Sequence, residues 1–170
     1  MRFAITGPES SGKTTLAKEL ALRNDGVWIP EFAREYLENL PYNYQLEDLD
    51  KIALGQLTLW EKSNDKILTF FDTEMLVMKI WSEFKYNSCS PFILTALKNQ
   101  SFDHYFLCRP DIEWEEDPLR EHPEKREELF ELYLNELINR KLPFTIVEGT
   151  LDERLQNCQR VISELQAISR

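Results

Sequence analysis

The residues with the clearest chemical potential lie near the start of the chain, at residues 7–14. Their sequence, GPESSGKT, fits the phosphate-binding pattern G-x-x-x-x-G-K-[ST] at every fixed position. The two glycines allow the backbone to curve around a phosphate, and the loop N–H groups then face the anion with the positive end of the next helix. The pattern predicts ATP as a ligand. The expected contact residues are Gly7, Pro8, Glu9, Ser10, Ser11, Gly12, Lys13, Thr14 and Thr15.

Two side chains of this loop suit phosphoryl transfer. The ammonium group of Lys13 can reach the β- and γ-phosphates as a mobile charge, and the hydroxyl of Thr14 can ligate Mg²⁺. The plain alternative is a Gly/Ser-rich loop without function, but this motif follows an apolar run and opens a helical pattern, as phosphate loops do. The loop predicts the ligand class and leaves the second substrate open.

Two carboxylates follow predicted strands, at the sheet edge where ligands of open parallel sheets bind. Asp72 ends an apolar run, so we expect it to hold Mg²⁺ or its water, or to accept a proton from a substrate hydroxyl. A helix-capping role is the alternative for Asp72. Glu31 follows another apolar run and is the second candidate for the general base. The sequence does not decide between the two.

Arg34 and Tyr36 extend the Glu31 segment toward the substrate side. Arg34 is expected to bind a phosphate or to orient the acceptor, with a surface i,i+3 ion pair to Glu31 as the alternative. Tyr36 is expected to contact the substrate. Aromatic residues are plentiful nearby, and the sequence does not say which of them stack on a flat substrate ring.

A polar, proline-containing connector at residues 109–120 precedes a helical pattern and has the composition of a lid that closes over ATP. Arg120 is its best candidate for stabilising charge on the transferred phosphoryl group. The alternative is a solvated loop with an ordinary arginine.

Apolar periodicity predicts the elements that position these residues. Short apolar runs predict five buried strands, at residues 3–5, 27–29, 67–71, 105–108 and 144–147. Apolar residues at three- and four-residue steps predict helices from Lys13, over 45–66, from an N-cap at Thr73 to about Lys85, over 123–140 and from Leu151 onward. This alternation predicts an α/β P-loop fold: a parallel sheet of about five strands, helices on both faces, and a short lid. We expect one domain over residues 1–170.

Composition narrows the function classes. Thirty acidic against twenty basic residues give a net charge of -10, and no basic run suits a nucleic-acid partner. Three widely spaced cysteines and two histidines form no metal-ligand pattern or disulfide framework. No stretch approaches the ~20 apolar residues that span a membrane. We expect a cytoplasmic protein with a small-molecule substrate and no membrane or nucleic-acid partner. The sequence leaves open whether the protein is a monomer or a homo-oligomer.

Several segments in this order resemble the ribosylnicotinamide kinase domain of the bacterial bifunctional NAD-salvage protein. They are GPESSGKT at 7–14, EFARE at 31–35, ALGQ at 53–56, FDTE at 71–74, Glu113-Trp114 and DPLR at 117–120. The resemblance covers almost the whole chain. It implies transfer of the ATP γ-phosphate to nicotinamide riboside, with Lys13 and Thr14 holding ATP and Mg²⁺.

The same resemblance assigns roles to the other candidates. It implies that Asp72 lies at the magnesium and the ribose 5′-hydroxyl, that Arg120 belongs to the lid, and that Glu31 and Arg34 line the riboside side. Because the phosphate loop already begins at Gly7, we expect the family's nucleotidyltransferase and DNA-binding activities not to carry over.

Two other functions stay open at this point. One is a kinase for another nucleoside or nucleotide. A monophosphate acceptor usually needs several arginines on the acceptor side, and Arg34 stands nearly alone there before the lid, which favours an uncharged nucleoside acceptor. The other is a P-loop ATPase switch without a small-molecule acceptor. An Arg120 beside its own phosphate loop favours the kinase, whereas an arginine from a neighbouring subunit favours the switch.

Overall fold

Strands and helices alternate along the chain in this computed structural model, which describes residues 1–61 and 68–168. The strands are β1 (Arg2–Thr6), β2 (Val27–Ile29), β3 (Thr69–Asp72), β4 (His104–Cys108) and β5 (Phe144–Val147). The helices are α1 (Lys13–Arg23), α2 (Phe32–Glu38), α3 (Leu46–Glu61), α4 (Met75–Tyr86), α5 (Pro91–Asn99), α6 (Arg126–Asn139) and α7 (Leu151–Ile168). A short 3₁₀ turn, Pro123–Lys125, precedes α6.

The five strands form one parallel sheet in the order β2-β3-β1-β4-β5. Side chains alternate between its faces, so neighbours in sequence enter different cores. Ala4 packs in the core beneath α2 to α6, whereas Phe3 and Ile5 pack in the core beneath α1 and α7. Both faces are covered, which explains why these strands are nearly continuous apolar runs.

The predicted fold class is confirmed: a five-stranded parallel sheet with helices on both faces. Two short helices, α2 and α5, were not predicted. The segment after β2 is polar and short, so it has too few apolar residues at three- and four-residue steps to have predicted α2. For α5 the local signal exists, because Ser90 accepts a hydrogen bond from Ile93 N–H and Pro91 occupies the first turn.

Several boundaries differ from the prediction. The long helix ends at Glu61, and its predicted continuation over 62–66 lies outside the described residues, as does Ile67 of the third predicted strand. Thr73 is not the N-cap of α4. It has a positive φ of 81°, and the cap is Glu74, whose carboxylate accepts from Leu76 N–H at 2.6 Å.

Within residues 1–61 and 68–168, none of the helices combines the length and apolar character needed to cross a membrane.

Candidate active site

The phosphate loop joins β1 to α1 in a conformation that its glycines make possible. Gly7 and Gly12 have φ of 133° and 82°. A Cβ on Gly7 would lie 2.7 Å from the carbonyl oxygen of Cys108, so a side chain there would collide with β4. Ser11 Oγ donates to the carbonyl of Pro8 at 2.7 Å and ties the two halves of the loop together. The cradle that the sequence predicts is therefore formed.

A buried arginine holds this loop from behind. The Arg154 side chain, only 3% exposed, donates to the carbonyls of Ser11 at 2.6 Å, Gly149 at 2.9 Å and Arg109 at 2.9 Å, and it pairs with Asp111. A buried guanidinium needs such partners, because burial of an unpaired charge is costly. Arg154 thus fixes the phosphate loop relative to the segments after β4 and β5. Sequence reasoning missed it, since its position in a regular helix gives no signal.

One cavity of about 310 Å³ begins at the phosphate loop and continues between α4 and α6. It brings together all of residues 7–15 with Glu31, Arg34 and Arg120. Asp72 and Tyr36 are not among its lining residues. The cavity therefore joins the predicted ATP loop to a second compartment, with room for an acceptor.

Asp72 lies at the end of β3, next to the phosphate loop and buried to 1% exposure. Burial and the nearby negative charge of Glu31 raise the pKa of Asp72 to about 6, while hydrogen bonding to Thr14 and the charge of Lys13 oppose that rise. The Oδ1 atom of Asp72 has no hydrogen-bond partner within the described residues. A buried carboxylate oxygen without a donor suits a cation.

The donor set around Asp72 fits Mg²⁺ held jointly with a nucleotide. No group of three or more His, Cys, Asp or Glu residues is placed to hold a metal ion in the part of the chain that the structure describes. One carboxylate and the Thr14 hydroxyl would leave most coordination positions to phosphate oxygens and water, which is how Mg²⁺ usually binds in nucleotide sites. Lys13 Nζ donates to the Pro8 carbonyl at 2.7 Å, within the same loop.

Glu31 is held at the cavity wall by the residues on either side of it. Gln56 of α3 donates to the carbonyl of Pro30 at 3.1 Å and accepts from Phe32 N–H at 2.8 Å. Gly55 makes this close approach possible, because a Cβ there would lie 2.1 Å from the Phe32 ring. The Gly-Gln pair of the ALGQ segment thus has a physical reason: it fixes the peptide groups flanking Glu31.

The Glu31 carboxylate accepts from the Thr73 hydroxyl at 3.2 Å, and among the described residues it forms no ion pair. Arg34 instead pairs with Asp117 of the lid at 2.7 Å and with Glu38 at 3.5 Å, so the alternative of an Arg34–Glu31 surface pair is not observed. Glu31 remains a carboxylate open to a ligand.

Tyr36 does not reach the cavity. Its hydroxyl donates to Asp48 at 2.8 Å, and this bond ties α2 to the start of α3. The substrate contact expected of Tyr36 is therefore replaced by a structural contact, because α2 directs the Tyr36 hydroxyl toward α3. The ring also lies near that of Phe32, one turn earlier in α2.

The lid lies against the phosphate loop of its own chain. Arg120 Nη1 is 3.4 Å from Ser10 Oγ, and the guanidinium pairs with Glu115 at 3.2 Å. Glu115 N–H donates to Ser10 Oγ at 3.1 Å. Arg126, which sequence reasoning missed, donates to the Ser10 carbonyl at 3.1 Å. Arg120 thus lies beside the phosphate loop of its own chain, the arrangement that favours a kinase over an ATPase switch.

The second compartment is lined by an apolar face of α4 that sequence reasoning also missed. Val77, Ile80, Trp81 and Phe84 recur at steps of three, one and three, so they share one side of the helix and point into the cavity. Tyr133 of α6 lies among the lining residues as well. Trp81, Phe84 and Tyr133 are the aromatic residues that line the cavity within the described chain.

Comparison with known proteins agrees with this geometry. A family model described as AAA domain matches residues 2–154. The trifunctional NAD biosynthesis/regulator protein NadR of Escherichia coli K12 is 28% identical over 179 residues, which cover 98% of this chain and 43% of the relative. Its counterpart from Salmonella typhimurium LT2 is 28% identical over 174 residues, covering 95% and 42%. The chain spans less than half the length of these relatives. The predicted resemblance is confirmed.

Solved structures share the fold. NadR in complex with NR (nicotinamide riboside) superposes with a TM-score of 0.82 at 22% identity, covering 96% of this chain and 51% of that chain. Deoxyadenosine kinase from M. mycoides, with its products bound, has a TM-score of 0.62 at 17% identity, covering 96% and 100%. At such identities the likeness establishes the P-loop fold and leaves the reaction and the acceptor open.

Proposed function

The chain belongs to the AAA domain family, and within it we propose an ATP-dependent kinase that phosphorylates the 5′-hydroxyl of nicotinamide riboside, giving ADP and nicotinamide mononucleotide. The observation that carries this proposal is the single cavity that joins the phosphate loop to an aromatic compartment bordered by Glu31. Homology to NadR, whose name records NAD biosynthesis, supports it, and the kinases among the structural neighbours support the broader class of phosphotransferase.

The basic residues of the cavity favour a nucleoside over a nucleotide acceptor. Lining residues with a full positive charge are Lys13, Arg34 and Arg120 within the described chain. Lys13 belongs to the ATP loop, and the two arginines are engaged by Asp117 and Glu115 at 2.7 and 3.2 Å. A monophosphate would have to compete with these carboxylates for its arginines. An acceptor without a phosphate meets no such cost.

The acceptor compartment suits a flat ring that carries a positive charge. Trp81, Phe84 and Tyr133 supply aromatic surface, and Glu31 supplies a carboxylate that no basic side chain of the described residues neutralises within ion-pair distance. Aromatic faces attract cations, and a nearby carboxylate adds to that attraction in a partly desolvated site. The nicotinamide ring of the riboside is a pyridinium cation, which matches this chemistry.

The reaction follows from the positions of the chain's own groups. Glu31 lines the cavity, so we assign it as the base that accepts the proton as the 5′-oxygen attacks the γ-phosphorus. The new O–P bond forms as the bond to the β-phosphate oxygen breaks, and ADP leaves. Lys13 and Arg120 stabilise the charge on the transferring group.

Asp72 has a different role in this assignment. It is buried, hydrogen-bonds with Thr14 and does not line the cavity, so we assign it with the Thr14 hydroxyl to hold Mg²⁺. When bound, that ion neutralises phosphate charge and orients the β- and γ-phosphates.

We predict strong selectivity in a panel of acceptors assayed with Mg-ATP. The value of kcat/KM for nicotinamide riboside should exceed those for thymidine, deoxyadenosine and thymidine monophosphate by ~10-fold or more, a discrimination of the size expected from pocket contacts. The reduced dihydropyridine form of the riboside serves as the matched probe, because it keeps the ring, the amide and the ribose but lacks the charge. It should react ~10-fold less efficiently.

The panel separates the alternatives. If thymidine, deoxyadenosine or the monophosphate reacts best, the chain is a kinase for another acceptor and the nicotinamide riboside assignment is wrong. If ATP turnover is the same with and without every acceptor, the ATPase switch replaces the kinase.

A further inference from the structure

A chain of hydrogen bonds connects the acceptor compartment with the phosphate loop through Tyr44, a residue that does not line the cavity. Trp81 Nε1 donates to Tyr44 OH at 2.8 Å. The same hydroxyl donates at 2.8 Å to Oε2 of Glu121, the residue that directly follows Arg120 and continues the lid by one position. Glu121 N–H in turn donates to the carboxylate of Glu9, at 3.1 and 3.2 Å from its two oxygens. Four residues from α4, the segment before α3, the lid and the phosphate loop thus form one continuous relay.

The surroundings of Tyr44 hold its phenol in place. Its ring packs edge-on against Trp81 and Tyr86 with centroids 5.1 and 6.4 Å apart, and Tyr86 OH donates to the Tyr44 carbonyl at 3.0 Å. Lys85 Nζ lies 3.7 Å from the centroid of the ring and 2.7 Å from Glu121 Oε1. Burial raises the pKa of the Tyr44 phenol, so at neutral pH the hydroxyl is protonated and can donate to the lid.

Tyr44 is therefore in contact with one element of each ligand compartment. Its hydroxyl fixes the orientation of the Trp81 indole, which forms part of the acceptor wall, and it anchors Glu121, whose backbone reaches Glu9 of the ATP loop. A ligand that immobilises the indole should also favour the lid position bonded to the phosphate loop. By thermodynamic reciprocity, a nucleotide that orders the lid should favour the indole position that binds the acceptor.

We propose that Tyr44 is a positioning residue that makes ATP and the acceptor bind cooperatively, by tying the indole of Trp81 to the lid through one hydroxyl group. The proposal rests on the proposed function, because nicotinamide riboside is the acceptor used to test it. It adds that the two substrates bind more tightly together than separately.

The test is a binding cycle measured by titration calorimetry. The Kd of nicotinamide riboside is determined with and without saturating AMP-PNP and Mg²⁺, for the wild-type protein and for Tyr44→Phe. In the wild type the nucleotide should tighten riboside binding by ~10-fold, a typical coupling between two sites. Tyr44→Phe keeps the ring and removes the hydroxyl, so in this variant the nucleotide should tighten riboside binding by less than ~3-fold. A purely structural loss would weaken both measurements equally and leave the factor unchanged.

Three further variants make the outcome decisive. Tyr42→Phe removes a phenol hydroxyl from the same segment, one that lies 3.4 Å from Asp48 and outside the relay, and it should keep the wild-type factor. Glu121→Ala removes the acceptor of the Tyr44 hydroxyl, and the double variant with Tyr44→Phe should lose no more coupling than either single change, as expected for one shared relay.

The results that overturn the proposal differ from those that overturn the function. If AMP-PNP leaves the riboside Kd of the wild type unchanged, or tightens it equally in the wild type and in Tyr44→Phe, the role of Tyr44 is wrong. The proposed function is not affected by either result. If the riboside fails to bind the wild type with or without AMP-PNP, the proposed acceptor is wrong and this inference falls with it.

Discussion

Replacing Lys13 with alanine should lower kcat for phosphoryl transfer to nicotinamide riboside by about 10²–10³-fold, the size typical for loss of one preorganised group that stabilises transition-state charge. Lys13 lies in the cavity wall, and its ammonium group donates to the Pro8 carbonyl within the loop. It is the positive charge best placed to follow the γ-phosphate during transfer. The measurement is steady-state formation of nicotinamide mononucleotide, with calorimetry expected to show weaker AMP-PNP binding as well.

Lys18→Ala is the matched control for this change. Lys18 belongs to the same helix as Lys13. Its ammonium group lies 4.5 Å from the centroid of the Trp28 ring, and neither Lys18 nor Trp28 lines the cavity. The charge of Lys18 also acts to lower the pKa of Asp72, so Lys18→Ala removes a nearby positive charge just as Lys13→Ala does, but leaves the phosphate loop intact. Activity within about threefold of wild type is expected, because Lys18 is exposed and does not line the cavity, so solvent weakens the effect of its charge on the site. Near-normal activity of Lys13→Ala would contradict the assignment of the phosphate cradle.

Asp72→Asn should separate activity from stability. We expect kcat to fall by about 10²-fold or more, because an amide lacks the charge that holds Mg²⁺ beside Thr14. Thermal stability at pH 8 should be maintained or increased. The pKa of Asp72 is about 6 in the folded protein against about 3.9 in an unfolded chain, so folding disfavours its ionised form.

The pH dependence gives the sign of this effect. A carboxyl with a raised folded pKa destabilises the fold when it is ionised, a penalty that is absent below about pH 4, grows between pH 4 and 6, and is complete above pH 6. The gain in Tm of Asp72→Asn should therefore be largest at pH 7–8 and vanish near pH 4. Thermal unfolding monitored by circular dichroism across this range measures it.

The same substitution at another buried aspartate provides the opposite case. Asp48 accepts from Gln45 N–H and from Lys51, contacts that lower its pKa to about 2. Its contribution to stability is present above about pH 4 and is lost as the pH falls toward 2. Asp48→Asn should thus reduce Tm at pH 7 with kcat within a few-fold of wild type. If Asp72→Asn instead loses stability and keeps its kcat, Asp72 is a structural residue and the magnesium assignment is wrong.

Local patterns predicted the parts of the molecule whose chemistry is encoded in adjacent residues. The phosphate loop needs its glycines, Lys13 and Thr14 at fixed spacing, and the buried strands need continuous apolar runs, so both were visible in the sequence. Glu31 and Asp72 were visible for a related reason, since the ends of parallel strands meet at one edge of a sheet. The structure places Asp72 in hydrogen-bonding contact with Thr14 of the phosphate loop and Glu31 in the wall of the same cavity.

The remaining features depend on contacts between distant segments. Arg154 meets Ser11 across 143 positions, and Tyr44 meets Glu121 across 77, so no local pattern announces either contact. Tyr36 follows Glu31 and Arg34 in the sequence and is expected there to contact the substrate, but α2 directs Arg34 and Tyr36 to different partners. The apolar face of α4 did have a signal, the spacing of Val77, Ile80, Trp81 and Phe84, yet periodicity alone does not distinguish a core face from a cavity wall.

The most direct test of the proposed function is to follow the phosphorus atoms during the reaction. Purified protein is mixed with Mg-ATP and nicotinamide riboside, and ³¹P NMR records the products over time. The proposed function predicts that the γ-phosphate resonance of ATP declines as a phosphate monoester of the riboside appears, in step with ADP. Appearance of inorganic phosphate with ADP and without the monoester, or ATP left unchanged, would contradict it.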